Sequence, residues 1–182
     1  MWSEDDDTLL LATGKGEQRA FNRLVQRHSP KLHAIVRRYL RSADDADEIV
    51  QEVFWQVWKA SSKWEPGTAK FSTWLYRVAA NRSIDRLRKD KRRVETTVDE
   101  LPDAASIHAN SEVALGDAQS LSYMQRAINR LPDKQRLAIL LSTHDEQSNA
   151  DIAQILDTSE GAVEQLLVRA RRSLRETYRE LV

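Results

Sequence analysis

Cysteine is absent from this sequence of 182 residues, which excludes disulfide staples, thiolate metal sites and cysteine nucleophiles. Glycine and proline are scarce, at 5 and 4 residues, which argues against a turn-rich β fold and leaves a mostly helical chain as the default. No stretch approaches the ~20 consecutive apolar residues that would span a bilayer, so no membrane insertion is expected. Residues 1–18 are acidic where a secretory signal would be basic, and their apolar run ends at Ala12; the pattern predicts a cytoplasmic chain. Histidine offers little: His28 and His33 are five apart and not on one face, while His108 and His144 stand alone. Asp44, Asp45 and Asp47 read as helix-start acids rather than a paired acid–base site, so neither catalysis, metal nor cofactor is expected.

A net charge of one sign is also missing, since 28 basic residues balance 28 acidic ones, but the charges are segregated. Between Asn81 and Arg93, Arg82, Arg86, Arg88, Lys89, Lys91, Arg92 and Arg93 stand against only Asp85 and Asp90. Between Val94 and Ser120 there is no Lys or Arg, against Glu95, Asp99, Glu100, Asp103, Glu112 and Asp117. Such separation suits a polyanionic partner at selected surfaces only.

Apolar residues recur at helical spacing through Ala20, Phe21, Leu24, Val25 and His28, and Ser29-Pro30 restarts the pattern into Leu32, Ile35, Val36, Tyr39 and Leu40. Ser42 is placed to cap a further helix whose first turns carry Asp44, Asp45, Asp47 and Glu48 and whose buried stripe is Ile49, Val50, Val53, Phe54 and Val57. Pro66-Gly67 marks a loop over 61–72. After an acidic, weakly periodic tether, residues 120–182 are helical again. The expectation is an all-α protein of two helical domains: an N-terminal bundle over 1–93, an acidic linker over 94–119, and a four-helix domain with a helix-turn-helix over 120–182. Roughly 25 residues of tether would reach ~85 Å extended or ~28 Å as a relaxed coil.

The segment "SNADIAQILDTSEGAVEQLLVRARRSLRE" carries the most specific local signal. Ser148 and Asp151 have capping-box spacing, Asp157-Thr158-Ser159 supplies a turn, and Thr158 or Ser159 can cap the helix after it. Val163, Leu166, Leu167, Ala170 and Leu174 form a buried stripe, leaving Gly161, Gln165, Val168 and Arg172 on the free face beside Glu164, Arg169, Arg171 and Arg175. A basic second helix after a short turn fits a major groove, with Gln165 and Arg172 suited to base edges and the other arginines to phosphates; an ordinary helical hairpin with a solvated basic face is the alternative.

In "FSTWLYRVAANRSIDRLRKDKRR" two sides of one helix are apolar as far as Ala80, after which cations follow at Arg82, Arg86, Lys89 and Arg93, spread along ~16 Å. A second polar row holds Asn81, Asp85, Arg88 and Arg92, where Asn81 suits a base edge. Upstream, Lys63, Trp64, Lys70, Phe71 and Trp74 interleave cations with aromatics, the combination that stacks unpaired bases at ~1–3 kcal/mol each, unless the rings are simply core. On the acidic helix, Asp47, Glu48, Gln51, Glu52 and Trp55 lie off the apolar stripe, either as a solvated face or as a docking surface with an aromatic anchor.

Taken in order, "DADEIVQEVFWQVW", "FSTWLYRVAANRSIDRLRKDKRR", "LPDKQRLAILL" and "SNADIAQILDTSEGAVEQLLVRARRSL" make the chain resemble, over nearly its whole length, a bacterial RNA polymerase sigma factor of the extracytoplasmic-function class. The resemblance implies that Asp47, Glu48, Gln51, Glu52 and Trp55 dock on core RNA polymerase. It implies that Lys63, Trp64, Lys70, Phe71 and Trp74 lie near the melted strand of the minus-ten element, with Asn81, Arg82, Asp85, Arg86, Arg88 and Lys89 on its recognition helix. It further implies that Ser159, Gly161, Glu164, Gln165, Arg169, Arg171, Arg172 and Arg175 read the minus-thirty-five element as duplex, and that an anti-sigma factor holds the protein. Two departures stand out: Asp157 occupies the turn where the family usually has Gly, and Ala162-Val163-Glu164 replaces a run that usually ends in a cation. The other reading is a helix-turn-helix activator that binds duplex DNA without serving as a polymerase subunit.

Overall fold

The computed structural model describes residues 5–67, 70–96, 115–143 and 147–181. Among them are eight α-helices: α1 (Asp6–Gly14), α2 (Gln18–Leu40), α3 (Ala43–Ser61), α4 (Phe71–Thr96), α5 (Leu115–Arg130), α6 (Asp133–Ser142), α7 (Asn149–Ile155) and α8 (Glu160–Leu181). Helices α1–α4 form the N-terminal bundle and α5–α8 the C-terminal four-helix unit. Residues 97–114, most of the acidic linker and His108 with it, lie outside the described residues, as does His144.

Local signals explain most helix starts. The Ser42 hydroxyl accepts from the Asp45 amide at 3.2 Å, with Asp44 and Asp45 in the first turn of α3. At α7 both halves of the capping box form: Ser148 Oγ accepts from the Asp151 amide at 3.1 Å and Asp151 Oδ2 from the Ser148 amide at 3.0 Å. Ser159 accepts from the Ala162 amide at the start of α8. Asp157 adopts φ 50, the left-handed turn conformation that Asp tolerates where Gly is usual. Two elements differ from the sequence reading. First, α2 runs unbroken through Pro30. Pro30 and Gln26 are both exposed, so water can serve the Gln26 carbonyl that the ring leaves without a donor. Second, α1 was not foreseen. Asp5 caps it by accepting from the Thr8 amide at 2.7 Å, and it buries Leu9 and Leu10.

Gly14 ends α1 against the C-terminus of α3. A Cβ there would stand 2.6 Å from the Ser61 carbonyl oxygen, a backbone atom with little room to yield. Gly14→Ala is therefore expected to lower stability by about 1–3 kcal/mol. Chemical denaturation would show this as an earlier midpoint with unchanged slope.

The two units share one core. Leu24, Leu32, Ile49, Val53 and Leu75 are fully buried in the first, Ile152, Ile155, Val163 and Leu167 in the second, and a continuous cluster joins them through Tyr39, Tyr76, Leu137 and Leu141. At that joint the Arg136 guanidinium lies 4.8 Å from the centre of the Tyr39 ring and is 2% exposed. Burial pushes the Tyr39 phenol up to about 12. The second apolar side of α4, built from Tyr76, Ala79 and Ala80, lines a small cavity together with Leu32, Ile35 and Val36 of α2 and Leu137 and Leu141 of α6.

Candidate nucleic-acid and polymerase interfaces

Three surfaces gather the residues singled out above. On α3, Asp47, Glu48, Gln51 and Trp55 are exposed, and Glu52 is half-buried. Trp55 is 60% exposed, with the Lys59 ammonium 4.9 Å from its ring centre. The acids of this face are already engaged from both sides. Arg82 binds Glu52 and, at 3.1 Å, Gln56; Arg86 binds Asp45 and Glu48, each at 2.6 Å. His33 Nε2 lies 2.9 Å from Asp47 Oδ1. The hydrogen bond to Glu48 raises the Arg86 pKa further above its ordinary value, so its cation is secure.

These pairs revise the reading of α4. Arg82 and Arg86 were expected on a row facing phosphate, whereas the structure turns both onto α3, where they clamp α3 to α4. The exposed surface of α4 beyond Ala80 is instead Asn81, Asp85, Arg88, Lys89, Asp90, Arg92 and Arg93. Asp85 sits 3.9 Å from Arg88, an exposed i,i+3 pair that braces an arginine. Asn81, Asp85, Arg88 and Arg92, spaced four, three and four residues apart, mark the exposed side of the helix.

The aromatic group before α4 is packed rather than open. Phe71 is 3% exposed, edge-on to His28 with ring centres 5.1 Å apart, and stacked with Trp74 at 6.2 Å. The expectation of Phe71 beside an unpaired strand is corrected: its ring fills the core between α2 and α4. Trp64 and Trp74 are half-buried, and the Trp64 indole Nε1 donates to Asp7 Oδ1 at 2.8 Å. Lys63 and Lys70 are exposed. Sequence reasoning missed the contribution of α1, which pins Trp64 through Asp7 and holds buried His28 through Asp6, whose Oδ2 lies 2.9 Å from His28 Nε2. The run Asp5-Asp6-Asp7-Thr8 ahead of Leu9 was the available signal, a cap followed by apolar residues.

On α8, Ser159, Gly161, Glu164, Gln165, Val168, Arg169, Arg171, Arg172 and Arg175 are all exposed, while Val163, Leu167 and Ala170 are buried. The face is basic, with Arg172 Nε bonded to Glu176 at 2.9 Å one turn on. Behind it, α7 carries Asp151. Burial works against its charge, but hydrogen bonds from the Ser148 hydroxyl and amide, Lys70 and Thr73 bring its pKa down to about 2. The stability this carboxylate supplies is present above pH ~4 and drains away as the pH falls towards 2. Among the described residues no cluster of His, Asp or Glu could hold a metal ion, and no helix is long and apolar enough to cross a membrane.

Residues 24–93 match the sequence family described as Sigma-70 region 2, and residues 121–174 match Sigma-70, region 4. The ECF RNA polymerase sigma factor SigW of Bacillus subtilis is 34% identical, over 92% of this chain and 93% of its own length. The ECF RNA polymerase sigma-E factor of Escherichia coli is 32% identical, over 97% of this chain and 96% of its own. Among solved structures, the sigma factor RpoE of Bartonella quintana, crystallised with the anti-sigma factor NepR, superposes with a TM-score of 0.71 at 25% identity, covering 87% of this chain and 96% of that one. CnrH in complex with the cytosolic domain of CnrY gives 0.69 at 26% identity, covering 94% and 96%.

Proposed function

Because the chain belongs to the ECF sigma factors of bacterial RNA polymerase, we propose that its three exposed surfaces divide the work of promoter recognition between them. The protein binds core RNA polymerase and directs promoter-specific initiation of transcription. It performs no chemistry itself; the polymerase does. The exposed face of α3 around Trp55 docks on the core enzyme, the free edge of α4 with Asn81 and Arg88 reads and holds the opened minus-ten element, and the basic face of α8 reads the minus-thirty-five element in the major groove. One observation carries this division: both sigma regions are matched in order, and each presents an exposed polar helix face built on a buried stripe.

Strand opening draws on binding energy alone. Each base captured out of the duplex contributes ~1–3 kcal/mol through stacking and hydrogen bonds, and cations along the strand add a salt-dependent term. The helix holding Asn81 must therefore be rigid, which the Arg82 and Arg86 bridges to α3 supply. Those bridges also tie the docking helix to the reading helix, so that polymerase binding fixes where Asn81 points. The cytoplasm is its place of work. The complexes of RpoE with NepR and of CnrH with CnrY support an anti-sigma partner for this chain as well.

Run-off transcription from a template of the parent genome, with core polymerase from the same source, tests the reading. Specific transcripts are expected only when the chain is added; equal initiation without it would refute the assignment.

A further inference from the structure

Helix α1 lies outside residues 24–93, the span matched to Sigma-70 region 2, and it holds the exit of α3 at two points. At its C-terminus, Gly14 sits so close to the Ser61 carbonyl that a Cβ would stand 2.6 Å from the oxygen. At its N-terminus, Asp7 Oδ1 accepts from the Trp64 indole Nε1 at 2.8 Å. The Trp64 amide donates to the same Ser61 carbonyl at 3.2 Å, so α1 braces both ends of one turn. Beside Asp7, Asp6 reaches the buried His28 ring at 2.9 Å, and His28 lies edge-on to Phe71. Trp64 meets Phe71 and Trp74 edge-on, with ring centres 6.0 Å and 6.1 Å apart. Two adjacent carboxylates thus hold two members of one aromatic group. His28 and Phe71 are buried in it, whereas Trp64 is only half-buried.

This group stands at the head of the exposed row of α4. Trp74, Asn81 and Arg88 follow one another at seven-residue spacing, which returns nearly to the same side of a helix and sets them ~10 Å apart along it. Trp64 packs on Trp74, and Lys63, next to it in the chain, is exposed. A half-open indole beside a cation, in line with Asn81 and Arg88, is an arrangement that takes an unpaired base by stacking.

We propose that Asp7 is a positioning residue for strand opening: its hydrogen bond holds the Trp64 ring where a base leaving the minus-ten duplex stacks on it. The proposal rests on the reading of α4 given above and adds to it a ring and the helix that aims it. A brace is needed because an indole free to turn loses to ordering part of what stacking supplies. Ring contacts discriminate weakly between flipped orientations of the indole, whereas the bond from its N–H admits one. Asp7 therefore decides which surface of Trp64 stays open.

The test uses the full chain with core polymerase on the template of the run-off assay. Permanganate reactivity of minus-ten thymines follows opening over time, and band shifts in the cold report closed-complex affinity. Asp7→Ala is expected to slow opening about fivefold, the contribution of one hydrogen bond, with core and closed-complex affinities unchanged. Asp7→Asn keeps an oxygen acceptor for the indole N–H without the charge, and should open within about twofold of the unmodified chain. Trp64→Phe keeps a ring but lacks the N–H. It should match Asp7→Ala, and the double variant should be no slower than either single one.

Additive losses in the double variant would overturn the proposal. So would equal losses in Asp7→Ala and Asp7→Asn, which place the effect in charge at the start of α1. Core affinity falling in step with opening would leave Asp7 a purely structural role. Should Asp7→Ala fail to fold, Trp64→Phe still decides: unchanged opening in that variant removes the bond from the mechanism. An unmodified chain that gives no transcript defeats the sigma reading, while normal transcription with opening untouched in Trp64→Phe defeats the positioning role alone.

Discussion

Replacing Asn81 and Arg88 together by alanine is expected to reduce open-complex formation by about tenfold to a hundredfold while leaving affinity for core polymerase unchanged. Both side chains are exposed on the free edge of α4, on the same row and two turns apart. A hydrogen-bonded base contact contributes ~1–3 kcal/mol, and each 1.4 kcal/mol is a factor of ten. Folding cannot account for such a loss. Alanine is a better helix former than asparagine, and the Arg88–Asp85 pair at 3.9 Å is an exposed one of the kind that contributes ~0–1 kcal/mol. Permanganate footprinting of thymines in the minus-ten region reports opening directly, and retention of polymerase on the tagged variant reports docking. Normal footprints would remove α4 from strand opening. Arg82→Ala is a different experiment, because it breaks the bridge to Glu52 and Gln56 and disturbs docking and reading together.

That distinction shows where the sequence was legible. Everything governed by a few neighbouring residues could be read: the Ser42 cap, the Ser148–Asp151 box, the left-handed Asp157 and the buried stripe of α8 with its exposed opposite face. Each depends on spacing within one or two turns, and helical spacing determines which side chains share a side. The second apolar side of α4 was also legible as a need for packing, but not that α2 and residues of the C-terminal unit would meet it together. Arg82 and Arg86 lie on the same helical row as Lys89 and Arg93, and nothing within the helix separates the two pairs. Only the approach of α3, some thirty to forty residues earlier in the chain, turns the first two inward. Phe71 likewise has the spacing of either a core ring or a stacking ring, and the arrival of His28 from α2 decides between them. Arg136 is the extreme case. A charged residue in a helix of mixed pattern gives no sign that it will be 2% exposed beneath a tyrosine from the other unit.

The same pairing bears on the docking of α3 on core polymerase proposed above. Were α3 an open acidic face, its binding to a basic partner would depend mainly on charge and fall steeply with salt. Asp45, Glu48 and Glu52 are instead paired with Arg82 and Arg86, which leaves Trp55, with Lys59 over its ring, as the large exposed apolar surface of the helix. Trp55→Ala is therefore expected to weaken core binding by roughly 30-fold, the effect of losing an aromatic anchor worth about 2 kcal/mol. Trp55→Phe should recover part of that affinity, since a smaller ring still fills an apolar pocket. The ring is 60% exposed in the free chain, so the melting temperature of neither variant should move appreciably. Titration of labelled chain into core polymerase at 0.1 M and 0.4 M salt tests both parts of the argument. A large loss on Trp55→Ala with only a shallow salt dependence is the expected result. A steep salt dependence with little loss on Trp55→Ala would show instead that the acids leave their arginines on docking, and that charge rather than the ring holds the complex.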